Sequence, residues 1–321
     1  MDKKMCLVPL IVILILFQAA VSRSDINANA GTTGAQFLKI GVGARAVAMG
    51  ETFAGLADDV NAIYWNPAGL GQVRSKQFTG SHMMMFQGIN YEFLAFGMPV
   101  GEKMTAGCGV SYVDMGELEA RESDTEDYTS FGANDLAVVG ALGMKLGGGL
   151  GAGASIKYIR QTVSVDGNYT GTGFGIDAGV HYNSSPEGGK GVLAGACIQN
   201  IGTGITFTSS GGFEGEKNAM PFNIKAGIAY KDTDNNWTMC ADVNIPKDNY
   251  MNIHLGGEYL LSNMFALRLG FKTTTISDLD FLSGLSAGIG FNMEKLGIDY
   301  AWVPYGVLGL FTHRISVTAK F

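Results

Sequence analysis

The sequence predicts an all-β protein: an antiparallel transmembrane β-barrel of about fourteen strands with an N-terminal segment folded into its lumen as a plug. Three observations predict it. The 321 residues combine 46% apolar residues and 47 Gly with only 16% charged residues and 7 Pro. After residue 22, however, no apolar run approaches the ~20 residues of a membrane helix. From residue 73 onward, apolar side chains recur at every second position, as a wall with lipid on one side and a lumen on the other requires. And residues 41–71 are the one long internal stretch that reads as neither strand nor turn.

Residues 1–22 read as a secretory signal. Lys3 and Lys4 supply the positive region, Leu7 to Phe17 the apolar core, and Ala20-Val21-Ser22 a small-residue cleavage site. The apolar core is too short to span a bilayer. Cys6 precedes that core, which is the wrong side for a lipoprotein cleavage site. Residues 23–72 form the second unit, a small polar lead over 24–40, expected to enter from the periplasm, followed by the plug.

The plug reads GVGARAVAMGETFAGLADDVNAIYWNPAGLG. Gly41, Gly43 and Gly50 bracket Arg45 among small residues, so the backbone can approach other surfaces closely. Asp58 or Asp59 can start a short helix whose apolar side holds Val60, Ile63 and Tyr64. That helix must stop near Trp65, because Pro67 forces Asn66 out of the α region. GVGARA superficially matches a dinucleotide fingerprint, but no strand precedes it and no βαβ unit follows.

Three blocks in this stretch, GARAVAMG, ADD and YWNPAGL, resemble in order and spacing the N-terminal signature of the PorV/PorQ family, which groups with the FadL-like outer-membrane barrels. The resemblance implies a hatch carried by Gly43, Ala44, Arg45, Met49, Gly50, Asp58, Asp59, Trp65, Asn66, Pro67 and Gly69. Glu51 departs from the family, where another small residue is usual. The resemblance further implies residence in the outer membrane of a Gram-negative-type bacterium and a non-enzymatic role as an accessory of type IX-like protein secretion, receiving or tethering cargo alongside other secretion-system components. The FadL-like side of the resemblance implies the alternative, a transporter of hydrophobic small molecules such as long-chain fatty acids. Phe53, Leu56, Ile63, Tyr64 and Trp65, with Val139 and Ile159 from the wall, are the candidate lining for such a ligand.

Residues 73–321 form the barrel, with strands expected near 73–86, 89–101, 103–120, 133–146, 150–164, 170–184, 190–207, 220–234, 236–249, 250–263, 264–275, 282–294, 295–306 and 309–321. The pattern is cleanest late in the chain. Ile315, Val317, Ala319 and Phe321 alternate with Arg314, Ser316, Thr318 and Lys320. Met83-Met84-Met85 breaks the alternation and predicts an irregular wall there, and the adaptable Met83–Phe86 surface is the candidate lateral exit for an apolar ligand. With an even strand number both barrel ends face the periplasm. The short connections then fall on that side and the longest, 116–132 and 202–219, on the extracellular side. The terminal Phe321 matches the signal read by the barrel assembly machinery. Trp302, Tyr305, Tyr300 and Phe311 at the outer end, and Tyr230 and Phe321 at the inner end, suit aromatic girdles against outer-membrane lipid.

Chemistry has little to work with. His82, His181, His254 and His313 share no metal or protease spacing, and no GxSxG elbow exists, so no catalytic residue, metal or cofactor is expected. The inward polar set comprises Lys145, Lys157, Asp177, His181, Lys225, Asp242, His254, Glu258, Arg268, Asp299 and Arg314. These should pair with one another or with the plug, because buried charges need partners. Arg45 is expected to reach Asp177, Glu258 or Asp299. By parity Cys108 faces lipid and Cys240 the lumen, so they should not bridge. The formal net charge of −7 disfavours nucleic acid. The acidic run Asp114, Glu117, Glu119, Glu122, Asp124, Glu126 and Asp127 reads as a solvated loop without calcium-site spacing.

Overall fold

A computed structural model describes residues 27–120, 129–164, 168–262, 264–273, 281–304 and 311–321. The signal expected over 1–22, the acidic residues Glu122, Asp124, Glu126 and Asp127, and Tyr305 lie outside the described residues. Period-two alternation produces the strands β1 (Gln77–Met84), β2 (Asn90–Val100), β3 (Met104–Ala120), β4 (Thr129–Gly147) and β5 (Leu150–Ser164). They continue as β6 (Asn168–Asn183), β7 (Gly191–Gly202), β8 (Thr206–Ser209), β9 (Asn223–Asp232) and β10 (Trp237–Pro246). The last five are β11 (Asn252–Leu260), β12 (Phe265–Lys272), β13 (Leu285–Asn292), β14 (Leu296–Pro304) and β15 (Phe311–Lys320). Every neighbouring pair is antiparallel. β1 pairs with β15 and β5 with β6, so fourteen strands close a ring and no edge is left open. The short β8 stands outside the ring, paired to the start of β6.

The two faces of the ring differ as the alternation requires. Leu269, Met239, Ile156, Ile289 and Val180 point outward and are more than half exposed, a belt far beyond the apolar patch a soluble monomer tolerates. Their inward neighbours Arg268, Asp242, Lys157 and Asp177 are buried. Stacked or tilted aromatic pairs border the belt. Trp302–Phe311 and Tyr158–Phe174 lie at one end, and Tyr230–Trp237 and Phe265–Phe291 at the other. The second end holds the start of β1 and the C-terminus, where the Phe321 amide donates to Lys76 O at 2.9 Å. Its connections are tight: Gly147, Gly148 and Gly149 all take positive φ, which only glycine tolerates in succession. Short turns mark this end as periplasmic.

Three sequence expectations change. The Met83–Met85 run does not loosen the wall. β1 keeps continuous register with both β2 and β15 through Met84, with Met83 buried and Met84 outward. The break comes one residue later, in the Phe86–Gly88 turn with Gln87 at φ 55°. The described residues of the connection expected over 116–132, namely 116–120 and 129–132, are strand, because a bulge between Asp114 and Glu117 lets β3 and β4 go on pairing to Ala120 and Thr129. Strands β3 to β6 thus reach 17, 19, 15 and 16 residues, where a tilted strand needs roughly 9–11 to cross a bilayer. Their outward residues change from Tyr112, Tyr158 and Phe174 to Asp114, Arg160 and Thr172, so the surplus stands above the lipid. Finally, the residues expected to lead in from the periplasm lie at the other end. Thr33 and Lys39 both bind Asp248, in the extracellular connection between β10 and β11.

The segment 41–73 touches the inner face on most sides. The Ala44 amide donates to Ser316 Oγ on β15, Gly50 to Ser286 Oγ on β13, Ala54 to Asp242 Oδ2 on β10 and Val60 to Gln77 Oε1 on β1. Inward glycines let it come this close. A Cβ on Gly270 would lie 1.9 Å from Gly50 N, and one on Gly195 2.1 Å from Ala54 O. Both obstacles are backbone, so neither can swing aside. Gly140, which faces outward, has nothing within 4 Å. Gly270→Ala and Gly195→Ala should therefore lower the temperature at which the heat-modifiable barrel unfolds, by the roughly 1–3 kcal/mol of overpacking, while Gly140→Ala stays at wild type. Equal melting of all three variants in gel-shift assays would show that the segment does not bear on these glycines.

Candidate functional site

The local sequence shapes the segment in three steps. Ala44–Ala48 forms one helical turn, entered through Gly43 at φ 76° and left through Gly50 at φ 67°. A Cβ on Gly43 would meet Asn61 Oδ1 at 2.9 Å, and one on Gly69 would meet Ala57 O at 2.3 Å, so both glycines set close crossings of the chain over itself. The second helical turn, Ala62–Trp65, follows Asp59, whose Oδ1 accepts from the Asn61 amide at 2.8 Å. Asn66 leaves the helical region at φ −158°, as the following proline demands. Its side chain then fastens the turn, donating to Ala54 O and to Val180 O of β6 and accepting from the Ala68 amide. Pro67 and Ala68 rest on Gly153 of β5. Met49 is fully buried, and its carbonyl accepts from Thr52 Oγ1 at 2.6 Å.

Arg45 is the electrostatic centre. Its Nε and Nη2 grip both oxygens of Glu258 on β11 at 3.0 Å, and Nη1 reaches Asp58 at 2.6 Å and Asp59 at 3.2 Å. Glu258 also holds Arg268 of β12 at 2.6 Å, which holds Asp299 of β14 at 2.7 Å. Asp58 holds Lys231, just before the β9–β10 turn, at 3.2 Å. One ionic string therefore runs from β14 through the segment to β9. Of the carboxylates expected near Arg45, Glu258 is the partner; Asp177 pairs with Lys157 at 2.8 Å and Asp299 with Arg268. Burial opposes the Asp58 charge, but Arg45 and Lys231 outweigh it and hold the carboxyl well below its usual range. Asp59 is dominated by burial, with Asp58 beside it, and is pushed up. Lys145 alone of the inward polar set is exposed.

Phe53, Leu56, Ile63 and Trp65 come together, but as a packed core with no exposure above 1%. Trp65 stands edge-on to Tyr64, ring centres 4.8 Å apart, and its Nε1 donates to Val42 O. Val139 and Ile159 belong to the same core. Two cavities flank it, each lined by both apolar and charged side chains. One of about 520 Å³ opens toward the periplasmic turns beside Asp58, His181 and Lys231. The other, of about 300 Å³, lies on the extracellular side beside Tyr64, Lys225, His254 and Arg314.

Sequence reasoning missed several anchors. Glu51, at φ 64°, reaches Lys272 of β12 at 2.7 Å, which gives the unusual acid in this glycine-like position a partner. Asp248 gathers Thr33, Gln36 and Lys39, and no sequence pattern announces a loop aspartate as an anchor. Asp242 was legible as inward-facing, but not as the acceptor of the Ala54 amide. Cys108 is exposed on the outer face, whereas Cys197 and Cys240 are buried and free. Among the described residues no three His, Cys, Asp or Glu side chains gather as a metal set.

Two outcomes are expected. Arg45→Gln leaves Glu258 and Asp58 short of a buried partner and should destabilise the folded barrel by about 3–5 kcal/mol, read as a lower heat-modification midpoint. A midpoint unchanged from wild type would mean the string carries no stability. Burial alone would raise the Glu51 carboxyl, yet Lys272, His254, Lys225 and Arg314 draw it from 4.5 to about 2. The stability it contributes is thus complete above pH 4.5 and lost as pH falls through about 2. Glu51→Gln should flatten that part of the acid-melting profile; an identical profile would remove Glu51 from the acid response.

Comparison with known proteins adds the following. A family model described as Type IX secretion system protein PorV matches residues 23–247. A search of curated proteins finds no match. Among solved structures, the toluene transporter TodX of Pseudomonas putida is similar at TM-score 0.63 and 14% identity, covering 88% of this chain and 98% of that one. The CymD monoaromatic hydrocarbon channel follows at 0.60 and 15%, with 88% and 98% covered. A FadL homologue from Pseudomonas aeruginosa gives 0.52 and 11%, with 87% and 98% covered. At these identities the likeness is one of fold.

Proposed function

The chain belongs to the PorV family of type IX secretion system proteins, barrels of the bacterial outer membrane, and from that premise we propose that it is a non-enzymatic accessory which receives or tethers secreted protein at the cell surface. The family match over residues 23–247 carries this reading, because it takes in the hatch motif and the tall part of the wall together. In this reading residues 23–72 plug the barrel formed by 73–321, with the hatch-motif residues from Gly43 to Gly69 as its fastenings. Cargo or partner components meet the lipid-free rim, built from the outer ends of β3 to β6 and the β8 hairpin. Phe213 is exposed on that hairpin and stands edge-on to Tyr169 of β6. Phe321, exposed at the periplasmic end, is the residue we assign to recognition by the barrel assembly machinery.

The hydrocarbon channels of the same fold favour the alternative, transport of a hydrophobic small molecule. The filled apolar core weighs against it. A transport pocket should be mostly apolar and accessible, whereas Phe53, Leu56, Ile63 and Trp65 are consumed in packing. The test replaces residues 116–132 and 202–219 with short Gly/Ser turns, and separately changes Phe53 and Trp65 to Ser, in the source bacterium. Cargo display and uptake of a labelled fatty acid are followed together. Loop exchange should abolish display and leave uptake at background. If the core variants lose uptake while the exchanged loops still display cargo, the transporter reading replaces this one.

A further inference from the structure

The extracellular cavity carries more polar chemistry than packing a plug requires. Lys39, Lys225, Lys272 and Arg314 line it against only two carboxylates, Glu51 and Asp248. Lys39 and Lys272 are neutralised by Asp248 and Glu51 at 2.8 and 2.7 Å. Lys225 forms no ion pair among the described residues. Its Nζ stands 4.4 Å over the Trp65 ring while the side chain remains buried. Arg314 spends Nη1 on Gly41 O and keeps Nε buried without a protein partner. The wall therefore holds a surplus of positive charge.

The other unpartnered atoms on this wall fall into two kinds. Asn223 Oδ1 and Asp248 Oδ1 are acceptors without a donor, whereas Ser283 Oγ and His254 Nδ1 can each donate or accept and have no partner. Buried polar atoms of this kind are destabilising unless something meets them. An occupant that meets the cations and the acceptors must bring an anionic acceptor for Lys225 and Arg314 and hydroxyl donors for Asn223 and Asp248. A hydrocarbon or fatty acyl chain brings neither donors nor, along its length, acceptors. At about 300 Å³ the space stands at the small end of small-molecule sites.

We propose that this cavity is a binding site for a small hydroxylated carboxylate, held by Lys225 and Arg314 at its carboxylate and by the Asn223 and Asp248 side chains at its hydroxyls. The site is independent of the secretion reading, because binding is measured on the purified barrel alone. Its position above Tyr64 and Trp65 puts any occupant against the outer face of the plug.

The experiment is calorimetric titration of the full-length protein in detergent with gluconate, with sorbitol as the uncharged counterpart and palmitate as the apolar one. Gluconate should bind and sorbitol should bind at least tenfold more weakly. Lys225→Met should weaken gluconate at least tenfold, while Lys145→Gln, on the periplasmic side, leaves it unchanged. Asn244→Leu narrows the cavity without altering charge and should also weaken binding, which keeps the test decisive should Lys225→Met fail to fold. Heat modifiability on gels reports folding for every variant. Absence of gluconate binding to folded wild-type protein overturns the proposal. So does sorbitol binding as tightly as gluconate, palmitate competing for the same site, or equal affinity in the wild type and a folded Lys225→Met or Asn244→Leu variant.

Discussion

The grip of Arg45 on Glu258, Asp58 and Asp59 is the interaction on which the interior depends. Here residues 41–73 pack against the inner face, whereas side chains from the wall alone leave a channel as strand number rises. Filling it with a separate piece of chain raises an electrostatic problem, since the inward face carries charges that lose water when the piece enters. Arg45 resolves both at once. Its planar guanidinium uses two nitrogens on one wall carboxylate and a third on the segment's own aspartates, which a lysine's single ammonium could not reproduce. Through Arg268 and Lys231 the same charges brace strands that are not neighbours, so wall and segment hold each other in register.

Shape is settled by the glycines opposite. Gly143, Gly153, Gly195, Gly256 and Gly270 all face inward, and on each an added Cβ would collide with the segment's backbone or with Leu70 or Thr52. These five glycines are a footprint: the wall is thinned where the backbone of residues 49–71 passes them. Tiny inward residues were visible from parity alone. That they mark a contact surface was not, because only the folded path of the segment says which of them it crosses.

The strands themselves were legible because a lipid face and a polar lumen impose period two on the same backbone, and a slip of one residue would bury Arg314 in lipid. Where that double constraint ends, the reading weakened. Above the membrane both faces are wet, so Thr129, Ser130, Phe131 and Gly132 carry no clear alternation and were left outside the strand expected over 133–146. At Met83–Met85 apolar side chains occupy both faces, and composition concealed a regular ladder. The lead toward the extracellular end escaped because its anchor, Asp248, binds from more than two hundred residues away.

These features bear on how the lumen is partitioned. The packed core of Phe53, Leu56, Ile63 and Trp65 lies between a periplasmic and an extracellular cavity, each lined by charged as well as apolar side chains. Joining them would require moving a segment fastened to β1, β6, β10, β11, β13 and β15 by hydrogen bonds or ion pairs. Such a segment yields only if many contacts break together, which a small apolar solute has too few interactions to drive. The outer rim is held mainly by strand pairing and presents a wet, partly aromatic surface, the kind on which a protein partner can spread. The physical asymmetry between a heavily fastened interior and an accessible rim is what favours the proposed role at the extracellular end.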